Sequence, residues 1–214
     1  MAFDAARDIT WLGHDGFALQ SGGLTIVIDP YKLTRAIKAD ILLITHSHYD
    51  HCSVDDIPSV LQAGAIVITD AESAAAMAQK GISADIRCVK PGDEMEVKGV
   101  RIEVVPAYNV GKKFHPKKKS LLGFIVTLDG CRIYHAGDTD LIEEMAGFNA
   151  DIALLPVSGT YVMTAGEAVE AAKRIKPKVA IPMHYGTIIG SEQDALQFRN
   201  GLAGVCEVLL PVKN

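Results

Sequence analysis

Ile41-Leu42-Leu43-Ile44 runs through Thr45 into His46-Ser47-His48-Tyr49-Asp50-His51, so that three imidazoles and a carboxylate follow directly behind a short apolar run. The run is apolar throughout, the pattern of a buried strand, and the polar cluster therefore sits just past a strand's C-terminal end. His46 and His48 are two apart, and in extended backbone alternate side chains share a face, so both can reach one ion. On a helix they would point about 200° apart, because each residue turns roughly 100°. After Tyr49 the chain must turn, which lets the adjacent Asp50 and His51 diverge toward a second position. Imidazole nitrogen and carboxylate oxygen suit zinc, iron or manganese, and no thiolate cluster lies nearby to make a closed structural zinc site. The cluster reads as a metal site.

The rest of the composition narrows the setting. At 214 residues and 49% hydrophobic content, one α/β domain spanning residues 1–214 can bury a substantial core. A formal net charge of −5, without an extended basic or aromatic surface signal, argues against nucleic acid and against an anionic membrane. No basic-then-apolar leader and no apolar run of membrane-spanning length occur, which gives the expectation of a soluble, cytoplasmic protein. Cys52, Cys88, Cys131 and Cys206 lie far apart without a Cys-x-x-Cys pair, as reduced thiols do. Cys52, next to His51, reads as a small buried residue. Neither a Gly-x-Ser-x-Gly elbow nor a Walker-type glycine loop offers a competing chemistry.

Read in order, the chain opens with short strands at 9–12 and 17–20, the turn Ser21-Gly22-Gly23 and a third strand from Leu24 to Ile28. His14, in the turn Gly13-His14-Asp15-Gly16, reads equally as a hydrogen-bonded turn residue or as a group near the metal. Asp29-Pro30 closes the third strand, with no chemistry assigned to it. Ser53-Val54-Asp55-Asp56 matches a helix start, Ala65 to Ile68 a buried strand, and Thr69-Asp70-Ala71-Glu72 the cap of an alanine-rich helix ending at Lys80-Gly81. Lys98-Gly99 and Asp129-Gly130 are hairpin turns between alternating segments. Thr139 or Asp140 is placed to cap a helix through Met145, and Thr164 opens another that runs to Lys176-Pro177. A last helix runs from about Ser191 to Asn200-Gly201, and Val205 to Leu210 closes a sheet.

Two more metal-type residues stand in the same context as the first cluster. Asp138 follows the strand Cys131–His135, and His184 follows the strand Val179-Ala180-Ile181. Both would lie at the sheet edge where open α/β structures bind ligands. His135, within its strand, reads as a buried histidine that orients its neighbours.

His-x-His-x-Asp-His after a hydrophobic strand resembles the metallo-β-lactamase superfamily, and Trp-Leu-Gly-His at 11–14 looks like its branch containing the ascorbate-6-phosphate lactonases. The resemblance spans nearly the whole chain. It implies a four-layer αβ/βα sandwich, two mixed sheets flanked by helices, with the metal centre between the sheets. It implies that Asp138 bridges two cations, that Asp50, His51, Asp138 and His184 form one position, and that His46 and His48 belong to the other. His48, where flavodiiron relatives carry glutamate, favours a hydrolase. The chain departs from the pattern after the middle strand, where Pro106-Ala107-Tyr108-Asn109 offers no third histidine. A neutral amide is a poor zinc ligand, so His115, six residues on, either folds back as a ligand or caps a surface turn before Pro116.

The resemblance implies a metal-dependent hydrolase with two divalent ions, zinc first and manganese or iron next, in which Asp50 and Asp138 carry catalysis. It is expected to act on an ester, lactone or phosphoester of a small anionic molecule. Lys112, Lys113, Lys117, Lys118 and Lys119 either hold an anionic group of that substrate or form a solvated loop. Thr160, Tyr161, Tyr108 and Tyr185 are further candidates for substrate contacts. The competing reading is a non-hydrolytic metal-binding or regulatory protein with one degraded site, which Asn109 keeps open.

Overall fold

The computed structural model describes residues 2–212. Among them, β1 (Ile9–Gly13), β2 (Gly16–Ser21), β3 (Leu24–Ile28), β4 (Ala39–Leu43), β5 (Leu61–Thr69) and β6 (Asp85–Cys88) lie side by side in one sheet, in chain order. A second sheet holds β7 (Glu94–Val97), β8 (Val100–Ala107), β9 (Leu121–Leu128), β10 (Cys131–His135), β11 (Ile152–Pro156), β12 (Val179–Met183) and β13 (Glu207–Val208), again as consecutive neighbours. Each sheet begins antiparallel and turns parallel, at β3 in the first and at β10 in the second. Parallel neighbours end at the same edge, and that edge collects the loops that follow β3, β4, β10, β11 and β12.

The two-residue period of the strands builds the layers. Ile26, Ile28, Ile41, Leu43 and Ile68 join one cluster with Val104, Phe124 and Val126 of the opposite sheet. The intervening Val27, Leu42 and Val67 pack on the other face with Met77 of α3 (Ala71–Gln79) and with Ile57 and Val60 of the short α2 (Ile57–Val60). Each such side chain, fully removed from water, contributes about 1.5–3 kcal/mol before the entropy of ordering is subtracted. On the far side, Ala168, Ala171, Ala172 and Ile175 of α4 (Ala165–Ile175) and Ala195 and Phe198 of α5 (Glu192–Gly201) cover the second sheet. The result is the αβ/βα sandwich expected. The Thr164–Glu167 capping box and the hairpins at Lys98-Gly99 and Asp129-Gly130, whose turn residues all have positive φ, form as read.

Two elements differ from the sequence reading. The helix expected from Thr139 or Asp140 through Met145 is only a one-turn 3-10 helix at Glu143–Gly147. Asp140 cannot cap it, because its carboxylate accepts from Val110 N at 2.8 Å and from Lys112 Nζ at 2.5 Å. The helix expected from Ser53 shrinks to Ile57–Val60. There Ser53 Oγ donates to Asp56 Oδ2 at 2.6 Å, while the Asp56 carboxylate also accepts from the Lys32 and Leu33 amides, so the segment serves as a brace for the loop after β3.

At Gly137, between β10 and Asp138, the backbone passes tightly against Leu122 of β9 and Thr45 beyond β4. Its φ is +59°, and a Cβ there would stand 2.6 Å from Leu122 O and 3.2 Å from Thr45 Cβ. Gly137→Ala is therefore expected to cost at least about 1–3 kcal/mol from the left-handed backbone alone, with the overlap in addition. A urea midpoint unchanged from that of the parent protein would contradict this placement.

Candidate metal centre

The loop after β4 sets His46 and His48 on one side of a shared carboxylate and His51 on the other. His46 Nε2 and His48 Nδ1 are 3.0 Å apart, and His115 Nε2 lies 3.3 Å from His48 Nδ1 and 3.1 Å from Asp138 Oδ2. The other oxygen, Asp138 Oδ1, faces His51 Nε2 at 3.3 Å and His184 Nε2 at 3.4 Å. Asp50 Oδ2 lies 3.8 Å from His51 Nε2. All seven residues read from the sequence are thus brought together, His115 included. It reaches the cluster because Asn109 clamps its loop. The Asn109 amide accepts from His115 N at 2.9 Å and donates to Tyr161 O at 2.8 Å, while Asn109 N donates to His115 O at 2.7 Å. Asn109 is a clamp, and its side chain is spent.

Hydrogen bonds to the far ring nitrogens set how the rings face. His51 Nδ1 donates to Asp29 Oδ2 at 2.7 Å. The same oxygen accepts from Thr45 Oγ1 at 2.6 Å, which leaves the Thr45 oxygen to accept from His46 Nδ1 at 3.0 Å. Ser158 Oγ lies 2.8 Å from His184 Nδ1, and Tyr161 O accepts from His115 Nδ1 at 3.2 Å. With each Nδ1 committed, the four Nε2 atoms are directed at Asp138. Asp29 had been given no chemistry, and it is the hub of this arrangement. The signal was available: it ends β3, the parallel neighbour of the strand that carries the cluster.

Imidazole nitrogens and carboxylate oxygens converging on one point are what a cation site requires. Tetrahedral coordination at about 2.0–2.1 Å separates ligand atoms by roughly 3.3 Å, close to the spacings in both halves. His51 Nε2, Asp138 Oδ1 and both Asp15 oxygens are buried without a hydrogen-bond partner. No lysine or arginine among the described residues pairs with Asp15, Asp50 or Asp138. A divalent cation in each half would satisfy these atoms, and the residues present fit one.

The electrostatics of the halves differ. Burial, with the neighbouring His51 and His48, holds the His46 imidazole well below its usual range, and burial lowers His115 as well, so both are neutral near pH 7. Burial would also lower His51 and His184, but facing carboxylates outweigh it. Asp138 and Asp29 raise His51, and Asp138 and Asp15 push His184 up to about 9. Asp50 is lowered to about 2, since the hydrogen bond from His14 and the charge on His51 overcome its desolvation.

His14 resolves toward the centre, for its Nε2 donates to Asp50 Oδ2 at 3.1 Å. His135 is buried as expected, donating from Nε2 to the Asp15 carbonyl at 2.8 Å. Cys52 is a buried thiol beside Ser73 O, pushed up to about 12 by burial. Tyr161, Phe114, Tyr49 and Ile188 wall a cavity of about 270 Å³ that opens onto His48, Asp50, His115, Asp138 and His184. Tyr108 and Tyr185 do not line it. Tyr108 Oη donates to Glu144 at 2.8 Å, and Tyr185 stacks on Trp11. Nor do the five lysines: Lys112 straps Asp140 to Val162 O, Lys117 pairs with Glu144 and Lys119 with Glu72. A larger cleft of about 450 Å³, lined by Phe3, Asp129 and Lys178, lacks converging metal-type donors.

Comparison with known proteins agrees with the fold and this donor set. Residues 8–184 match the family described as Beta-lactamase superfamily domain, and the chain belongs to that superfamily. A UPF0173 metal-dependent hydrolase of Pelotomaculum thermopropionicum is 36% identical over 212 residues, covering 91% of each chain. A crystal structure from Parabacteroides distasonis is similar with a TM-score of 0.83 at 33% identity, covering 95% of this chain and 91% of that one. Igni18, a metallo hydrolase of Ignicoccus hospitalis, matches with a TM-score of 0.76 at 28% identity over 94% of this chain and 93% of its own. The chain is a metal-dependent hydrolase of the superfamily, with a His/Asp cluster able to bind a metal.

The raised histidines give the centre a pH signature. In the metal-free protein, His184 contributes stability that is full below about 6.5 and is lost as pH rises through about 9. A cation must displace the protons on His51 and His184, so its uptake at pH 7 releases protons and its affinity climbs with pH toward 9. Calorimetry in buffers of different ionisation enthalpy reads this directly, and uptake with no proton release would contradict the assignment.

Proposed function

We propose that this protein hydrolyses an ester, lactone or phosphoester of a small molecule, with two divalent cations, zinc first, held on either side of Asp138. The observation that carries the reading is Asp138 itself, with Oδ2 turned to His115 and Oδ1 to His51 and His184, at the floor of an open cavity. One position would be His46, His48, His115 and Asp138, and the other Asp50, His51, Asp138 and His184. Cations there supply Lewis acidity toward the electrophile's oxygen and bring the pKa of a water toward neutrality.

The chain's own residues do the rest. Asp50, ionised throughout the physiological range and fixed by His14, accepts a hydrogen bond from the attacking water and orients it. Neutral His46 and His115 add no positive charge that would compete for a cation. Phe114 and Tyr161 meet edge to face at 4.7 Å and, with Ile188, exclude water from one wall of the cavity. With no lysine on that wall, the substrate's non-reacting part is better matched by an apolar group than by the anion first expected. The four free thiols agree with a reducing compartment, for which we keep the cytoplasm.

The test is a panel of aryl and alkyl esters, lactones and phosphodiesters assayed with added zinc, manganese or iron. Turnover should rise with metal, vanish in Asp138→Ala and fall about 10²-fold or more in Asp50→Asn. Metal uptake without turnover on any member would favour the non-hydrolytic reading instead. Separately, His115→Ala should lower the zinc bound per chain by elemental analysis, and unchanged stoichiometry and affinity would remove His115 from the first position.

A further inference from the structure

The turn between β1 and β2 carries a carboxylate that neither the superfamily pattern nor the sequence reading assigns. Asp15 is fully buried, and neither of its oxygens has a hydrogen-bond partner. Oδ2 faces three ring nitrogens: His51 Nε2 at 3.5 Å, His14 Nε2 at 3.9 Å and His184 Nε2 at 3.9 Å. A buried carboxylate without a hydrogen-bond partner is costly unless something else meets its charge.

The backbone is built to hold it there. His14 sits at φ +53° and Gly13 at +102°, and a Cβ on Gly16 would press on Gly13 O at 3.0 Å, so the turn is tight and aims Asp15 inward. The His14 carbonyl accepts from Trp11 Nε1 at 2.9 Å and from the amide of His184 at 3.2 Å. His135 grips the Asp15 carbonyl, three residues before Asp138. A strained left-handed histidine on each side, at 14 and 184, marks a segment whose geometry is over-determined by its surroundings.

We infer that Asp15 is a ligand of the second cation position, completing a donor set with His51, His184, Asp50 and the shared Asp138. His14, Asp15, His51 and His184 each offer a donor atom within 4.8 Å of the others. Three carboxylates face this half, against the single shared one facing His46, His48 and His115. The second position is therefore the more anionic and oxygen-rich of the two, a site for a harder cation than the first. A bound cation also removes the desolvation burden that leaves Asp15 unpartnered in the metal-free chain.

This inference rests on the two-cation reading and is separable from it. Chelator-competition titrations with Zn²⁺ and with Co²⁺ alone, at pH 7.5, compare the parent protein with Asp15→Asn and Asp15→Ser. One of the two bound equivalents should lose affinity by about tenfold or more in both variants, the Co²⁺ visible spectrum should change, and the metal-free melting temperature should hold or rise. Affinity and spectrum equal to the parent's would overturn the assignment. So would an affinity loss matched by a comparable fall in metal-free stability, which would make Asp15 only a counter-ion for His51. A parent protein that takes up no cation would instead fail the reading beneath it.

Discussion

One buried carboxylate sets the conditions for the rest of the molecule. Asp138 has His115 at 3.1 Å on one oxygen and His51 and His184 at 3.3 and 3.4 Å on the other, and it reaches that point only because Gly137 lets β10 leave its sheet against Thr45. The opposing sheets supply the two sides: His46, His48 and His51 follow β4, while Asp138 and His184 follow β10 and β12. Holding so many buried titratable groups together is unfavourable in isolation, so the core must over-determine the geometry, and a bound cation would relieve it.

The two halves of the centre reach neutrality by different routes. On the first side burial keeps His46 and His115 unprotonated, ready to take a cation as they stand. On the second, the clustered carboxylates keep protons on His51 and His184 until a cation displaces them. Asp29 links the halves, since its carboxylate orients His51 directly and His46 through Thr45. A change at Asp29 would therefore disturb both positions, though it touches no cation itself.

The loop from Asn109 to His115 is how this chain keeps a third imidazole without the usual placement. Asn109 holds the loop by three hydrogen bonds and Lys112 straps it to Asp140 and Val162. Charges that looked available to a substrate are used to fix a ligand, and the cavity wall is left to Phe114 and Tyr161.

The sequence by itself determined the class of fold and most of the centre. His46 and His48 were legible because a period of two after a buried apolar run puts them on one face, Asp50 and His51 because the chain must turn after Tyr49, and Asp138 and His184 because each follows a buried strand. Local chemistry also fixed the hairpins and the Thr164 cap. What only the tertiary structure decided are relations between segments distant in the chain. His115 joins His48 across 67 positions, Asp29 serves His51 across 22, and Asp140 gives up a helix cap to bind Lys112. Asp15 looked like a turn residue until β1 and β2 were laid beneath His184. No local pattern encodes such pairings, because the energy that selects them comes from burial and from unsatisfied charge, and both exist only once the two sheets have met.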